Sequence, residues 1–389
     1  MARIALPSLA AGPAEMAHSG IREIANEAIR TPGTIRLDVG QPDFPTPQHI
    51  KDAGKRAIDE NQTFYTHTQG LLSLREKLVA KLARVNGIKT TPDNIACGPG
   101  GVGAIAATLA SVVEQGEEVL LPDPGWPNYR MMLPWLGVRG VYYRCPPEFG
   151  FQPDLDAVEK LITPRSKVLV VNSPNNPTGA VYPPATINAL IELAQKHNLW
   201  LLSDECYDQI LLDGSWTSPA SLAPDDAHIA TVFTFSKTYS MTGWRLGYLT
   251  GSAELVDTAT KVLESNSSCV STISQVAAEA ALEGPQDCVA EMVGAYRRRC
   301  DIVAGILEDA ELFIAKPTGA FYIMADVSPA GMPSRDLAFA LLRERGVSVA
   351  PGTAFGQVAG EAVRISLASS DSDLREGVGR LAEFVHRRT

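Results

Sequence analysis

Residues 236–245 read SKTYSMTGWR and directly follow the apolar run IATVFTF. A long cation at the end of a buried strand is costly unless something occupies it. Lys237 therefore has two readings. As a structural residue it lies along the surface with its ammonium in water, the usual fate of a lone lysine. As a functional residue it is an amine kept near neutral by its surroundings, able to form an imine with a carbonyl compound. Ser236 and Arg245 flank it, a hydroxyl and a cation suited to a phosphate dianion.

Four further side chains have the same double character. Asp204 closes the apolar run LWLLSDE, where it serves either as a helix N-cap or as the anion that keeps a heterocyclic nitrogen protonated. Tyr207, three residues on, could reach a phenolic oxygen of the same ring. Asn176 lies in NSPNNPTG, which is either only a turn or a turn that aims an amide at that oxygen. Trp126 in PDPGWPNY is either ordinary packing or an aromatic that stacks on a flat ring.

Gly98, Gly100 and Gly103 match G-x-G-x-x-G, and Asp123 stands twenty positions past Gly103. That is the arrangement of a dinucleotide site. Its alternative is a tight strand-to-helix turn. Both readings share free N–H groups at a helix start, which bind phosphate of any kind. Pro99 removes one N–H from the turn and weakens the dinucleotide version.

The elements that must position these groups alternate. NIACG, EEVLLPDP, VRGVYYR, SKVLVVNSP, LWLLSDE, IATVFTFS and RLGYLTG read as strands, with AIAATLASVV and PATINALIELAQKHN as helices between them. Short β-rich runs separated by amphipathic helices indicate an α/β fold with a mainly parallel sheet covered on both faces. Sites in such sheets gather at the carboxyl ends of the strands. The pieces GPGGVG, PDPGW, NSPNNPTG, SDECYD and SKTYS all fall there. The C-terminal part instead mixes a long helix, VAEMVGAYRRRCDIVAGILED, with strand-like FYIMADV and VRISLA and helical SRDLAFALLRERG. This pattern predicts a smaller α+β domain, which the segment through LDVGQPDF joins.

The chain of 389 residues is 45% apolar and 20% charged, as expected of a globular protein. Lys and Arg number 34 against 44 Asp and Glu, a net charge of −10. The expected partners therefore exclude nucleic acid and membrane surfaces. The six cysteines show no C-x-x-C pair, no metal site is expected, and no signal or spanning segment is legible. These features lead to an expected cytoplasmic location.

A lysine, a carboxylate, a phenol, an amide, an aromatic and a phosphate-binding turn on one sheet edge suit one ligand, pyridoxal 5′-phosphate. At these residues the sequence resembles the class I/II aminotransferases, a family of fold type I pyridoxal-phosphate enzymes. The matches run in order from SGIREI and LDVGQPDFPTP through NSPNNPTG, SDECYD and SKTYSMTGWRLGY to PTGAFY and VRISLA. The resemblance implies a large domain with a mainly parallel seven-stranded sheet covered by helices, plus a smaller α+β domain. The corresponding divisions are 1–45 for an N-terminal arm and part of the small domain, 46–284 for the cofactor-binding domain and 285–389 for the small C-terminal domain.

The resemblance also implies roles. Lys237 corresponds to the Schiff-base lysine that later shuttles the proton, and Asp204 to the partner of the pyridine nitrogen. Asn176 and Tyr207 correspond to donors at the ring oxygen, and Trp126 to the stacking aromatic. Ser236, Arg245 and the backbone at Gly101 and Val102 correspond to the phosphate site. Tyr65 in TFYTHTQG resembles a tyrosine that reaches the phosphate of a neighbouring subunit, so a homodimer with shared active sites is implied. Arg364 in VRISLA resembles the fork for the substrate α-carboxylate, and Gly40 and Asn176 resemble contacts to the substrate. The implied reaction is ping-pong transfer of an amino group from an L-amino acid to a 2-oxo acid.

One departure bears on the substrate. Some aspartate-type members carry a lysine where this chain has Val102, and an apolar residue cannot pair a distal carboxylate. SGIREI, with Ile21 as the candidate contact, resembles members that accept neutral or aromatic amino acids. The expected donor is therefore neutral, hydrophobic or aromatic. The alternatives are an aspartate aminotransferase, another reaction on the same cofactor (lyase, decarboxylase or oxidase), and an NAD-dependent oxidoreductase built on Gly98–Gly103 and Asp123. A cofactor-sensing regulator is disfavoured, because matched motifs begin by residue 19 and leave no region for a DNA-binding domain.

Overall fold

Valine, isoleucine and leucine dominate the central runs because strands buried on both faces have no polar side to show. The computed structural model describes residues 8–14 and 16–388. Its strands are β1 (Ile35–Arg36), β2 (Ile95–Gly98), β3 (Glu118–Asp123), β4 (Arg139–Arg144), β5 (Ser166–Asn172), β6 (Trp200–Asp204), β7 (Ile229–Thr234), β8 (Gly247–Thr250), β9 (Tyr322–Asp326), β10 (Val347–Ser348), β11 (Ala350–Pro351) and β12 (Ala362–Ser366). Seven of them form one sheet in the order β2-β8-β7-β6-β5-β3-β4.

Alternation along β5 shows how the layers form. Val168 and Val170 join the core under the helix Gly100–Val112, with Ala104, Leu109 and Val232. Leu169 and Val171 point to the other face, onto Ile187, Leu190 and Ile191 of the helix Pro184–Lys196. All of these side chains are buried, and each valine, leucine and isoleucine among them contributes about 1.5–3 kcal/mol.

The pairs β3–β4, β3–β5, β5–β6 and β6–β7 are parallel, whereas β8 runs antiparallel to both β7 and β2. The reason for the reversal is local. Between β7 and β8 lie only the short helical turns Phe235–Thr238 and Thr242–Trp244. A parallel return needs a crossover of a dozen or more residues, usually with a full helix. The chain instead turns back at the same edge, so that Lys237 and Arg245 both remain there. The carboxyl ends of β2, β3, β5, β6 and β7 share that edge.

A second sheet, β11-β12-β9, is antiparallel and carries Arg364 in its middle strand. The parallel pair β1–β10 joins Ile35 to Val347. This attaches the early chain to the C-terminal part. Arg299, buried on the helix Asp287–Asp309, then pins the crossing through two hydrogen bonds to Asp43 at 2.9 and 2.8 Å and one to the Leu367 carbonyl at 3.2 Å. The segment that carries Gly40 is thereby held between the two sheets. No helix among the described residues is long and apolar enough to cross a membrane.

Candidate active site

Lys237 follows β7 on a single helical turn that Thr234 caps by accepting from the Ser236 N–H at 3.2 Å. Its Nζ donates to the Gly40 carbonyl at 2.6 Å and lies about 6 Å from the ring centres of Tyr207 and Phe321. Burial is the main force on its ammonium, and the Arg364 and Arg245 cations add to it, so its pKa falls from 10.5 to about 8. An amine with that value is about one-fifth neutral near physiological pH, against on the order of one part in a thousand for a free lysine.

Asp204 ends β6, fully inside the protein. Burial raises its pKa, against the Cys206 N–H and the Tyr129 hydroxyl, both of which donate to it. The N-cap reading is thus met in part, by the contact from Cys206 at 3.1 Å. Its neighbour Glu205 is engaged by Ser203, Ser218 and Trp216, and burial pushes it up to about 7. Of the two acids in SDE, Asp204 is the one that shares a locale with Lys237. Trp126 stands edge-on to Tyr129, with ring centres 5.3 Å apart. Tyr129 has no counterpart in the sequence reading, although PDPGWPNY contains it; a buried tyrosine three residues after Trp126 was the available signal.

On the other side of Lys237, Arg364 is buried and donates to Asn176 Oδ1 at 3.0 Å and to the Asp38 carbonyl at 2.6 Å. Its Nε is buried without a hydrogen-bond partner in the structure. The guanidinium lies 4.2 Å from the Tyr322 ring centre and 4.9 Å from that of Phe355. Tyr207 and Tyr322 join hydroxyls at 2.9 Å. Tyr322 was also passed over, although PTGAFY ends on it. Its burial rules out a surface salt bridge as the role of Arg364.

The glycine turn leads into the helix Gly100–Val112, whose N-terminus has no side-chain cap. Gly100 has φ +77°, and a Cβ there would lie 2.5 Å from Arg245 Nη2. A Cβ at Gly101 would lie 2.9 Å from Cys206 Sγ. Open N–H groups, the Arg245 guanidinium and the Ser236 hydroxyl on the neighbouring turn form a cradle for a phosphate group. Asp123 takes no part in it. Its carboxylate accepts from the Gln357 and Val358 N–H groups at 3.0 and 3.1 Å, which straps β3 to the C-terminal segment. With its acid committed to backbone, the dinucleotide fingerprint loses its ribose partner.

Tyr65 is 89% exposed beside exposed Phe64. Ile21 is half-buried on the helix Gly20–Arg30. Val102 packs against the core on the first turn of the helix Gly100–Val112.

The family described as aminotransferase class I and II matches residues 32–381. The chain belongs to that family. It is 39% identical to the aspartate/prephenate aminotransferase of Thermus thermophilus over 91% of each chain. It is 36% identical to aromatic-amino-acid aminotransferase 2 of Thermococcus litoralis, over 94% of this chain and 95% of that one. The solved aspartate aminotransferase of Thermus thermophilus with maleate superposes at a TM-score of 0.93, with 37% identity over 97% of this chain and 100% of that one. The protein is accordingly a pyridoxal-phosphate-dependent aminotransferase of fold type I. The cofactor also fits the donor set: a phosphate cradle at Gly100, a lowered amine, a buried acid for a ring nitrogen, and a phenol and an amide beside them.

Proposed function

We propose that this aminotransferase takes its amino group from a neutral, hydrophobic or aromatic L-amino acid and passes it to a 2-oxo acid. The observation that carries this choice of donor is Val102, an apolar residue packed on the core where a distal carboxylate would need a cation. Ile21 is the proposed contact on the other side of the donor's side chain. Glutamate and 2-oxoglutarate are compatible as the second pair.

Within that reading, bound pyridoxal phosphate supplies an electron sink for the charge left when the α-proton departs. The protein's own groups do the positioning. Arg364 holds the donor carboxylate with a two-pronged hydrogen bond, assisted by Asn176 and the backbone at Gly40. Nζ of Lys237 would take the α-proton from the donor and deliver it to the cofactor side along the same face. Asp204 would keep a proton on the ring nitrogen, while Tyr207 and Asn176 would donate to the ring oxygen and Trp126 would lie against the ring. Ser236, Arg245 and the N–H groups at Gly101 and Val102 would hold the phosphate. The first 2-oxo acid leaves before the acceptor enters, which gives ping-pong kinetics.

The exposure of Phe64 and Tyr65 supports a homodimer in which Tyr65 reaches the partner's phosphate site. The separate sheets support the division at residues 45 and 284. Six free cysteines support a cytoplasmic location.

The deciding experiment is titration of the purified protein's visible band with single amino acids, followed by identification of the 2-oxo acid formed. Bleaching by leucine, phenylalanine or tyrosine, with transfer of the amine, is the expected result. Efficient turnover of aspartate with no neutral donor accepted overturns the donor assignment.

A further inference from the structure

Tyr322 opens β9 in the small antiparallel sheet, two residues before Met324, the partner of Arg364 across the strand pair. Side chains two apart share a sheet face, so its ring comes under the guanidinium, 4.2 Å from its centre. Its hydroxyl reaches out of that sheet to Tyr207, at the end of β6 in the large one. The ring is buried, stands edge-on to Tyr207 with centres 5.7 Å apart and packs on Phe321 at 4.7 Å. Gly40 has no side chain where a Cβ would lie 2.7 Å from this hydroxyl. One buried phenol therefore touches the carboxylate fork, the substrate loop and the tyrosine assigned to the cofactor.

A hydroxyl carries one hydrogen. If Tyr207 spent its hydrogen on Tyr322, none would remain for the cofactor's ring oxygen. Among the described residues each hydroxyl has the other as its one hydrogen-bond partner, so either can donate, and only Tyr207 is assigned a second acceptor. We propose that Tyr322 is a positioning residue: its hydroxyl donates to Tyr207 and commits the Tyr207 hydrogen to the ring oxygen, while its ring face seats Arg364. The inference rests on Tyr207 being the ring-oxygen donor.

The test is a pH titration of the visible band in the cofactor-loaded resting protein, together with binding of 3-phenylpropionate, a carboxylate with no amine to react. A donor at the ring oxygen stabilises the form that has lost its proton, so a weakened donor raises the midpoint. Tyr322→Phe keeps the ring and removes the hydroxyl. The midpoint should rise by roughly half to one pH unit, as loss of one buried hydrogen bond allows, with 3-phenylpropionate affinity unchanged within about twofold. Tyr322→Leu should give the same rise and weaken 3-phenylpropionate by about five- to tenfold, the strength of a cation–ring contact. In a Tyr207→Phe background, Tyr322→Phe should add no further shift. An unchanged midpoint in Tyr322→Phe, while Tyr207→Phe alone raises it, overturns the inference and leaves the assignment of Tyr207 standing. An unchanged midpoint in Tyr207→Phe as well overturns both.

Discussion

Nζ of Lys237 donates to the Gly40 carbonyl at 2.6 Å, across a gap that separates the end of β7 from the crossing segment of the early chain. The amine is thus held at the backbone of the residue assigned to the substrate, where burial lowers its pKa to about 8. Replacing it with alanine removes the proton carrier and leaves the packing around it intact. Lys237→Ala should lower turnover by more than about 10⁴-fold, the upper end of what positioned proton transfer supplies. Unaltered circular dichroism alongside lost activity is the expected pair; retained full activity would sink the mechanism.

The same lowered pKa predicts a pH dependence. Only the neutral amine attacks a carbonyl, so the cofactor-free protein should capture pyridoxal phosphate faster as pH rises, with a midpoint near 8. The sign for stability follows. Between about 8 and 10.5 the unfolded chain keeps a proton on this lysine that the folded chain has lost. Stability of the cofactor-free protein contributed by this group therefore increases through that window, and below 8 the whole penalty applies. A capture midpoint near 10.5 in stopped-flow traces would show that burial does not act on Lys237.

Asp204 and Tyr129 form a pair whose two members differ in consequence. Asp204→Ala removes the anion proposed to face the ring nitrogen and should reduce kcat by on the order of 10³-fold. Tyr129→Phe removes one hydrogen bond to that anion, worth roughly 1.5–3 kcal/mol for a charged acceptor, and should cost about tenfold or more. Near-normal rates for Asp204→Ala would break the electron-sink argument, and steady-state kinetics on both variants will decide it.

Arg364 tests carboxylate recognition. Lysine keeps the charge but loses the planar fork and the stacking on Tyr322 and Phe355. Arg364→Lys should lower kcat/KM by roughly 30-fold or more for donor and acceptor alike, because both substrates share a carboxylate. A loss confined to one substrate would point to a different anchor.

Gly100 tests the phosphate cradle. At φ +77° an alanine pays about 1–2 kcal/mol for the left-handed backbone, and its Cβ would lie 2.5 Å from Arg245 Nη2. Gly100→Ala should weaken cofactor affinity by roughly tenfold while the purified protein stays folded. Equilibrium dialysis against pyridoxal phosphate measures this, and unchanged affinity would place the phosphate elsewhere.

Much of the protein was legible in the chain because strand-forming runs and turn chemistry are local. The valine and leucine runs announce buried strands, and polar residues at their ends announce one sheet edge, so Lys237, Asp204, Asn176, Trp126 and Arg245 could be named before any coordinate. The helices Gln48–Asp59, Leu72–Lys81, Ala253–Ser267 and Thr272–Glu283 were not singled out; they cover the sheet and carry no motif of their own. Local pattern alone also left the G-x-G-x-x-G turn and Asp123 ambiguous. The backbone partners that claim Asp123 lie more than two hundred residues away.

The sequence by itself determined the elements, the edge on which chemistry gathers and the residue types present there, since these depend on neighbours a few positions apart. Only the tertiary structure decided which groups meet: Tyr129 on Asp204, Tyr322 between Tyr207 and Arg364, and Lys237 on Gly40. Each of these rests on packing between segments distant in sequence, where burial strips polar groups of water and forces them to find one another.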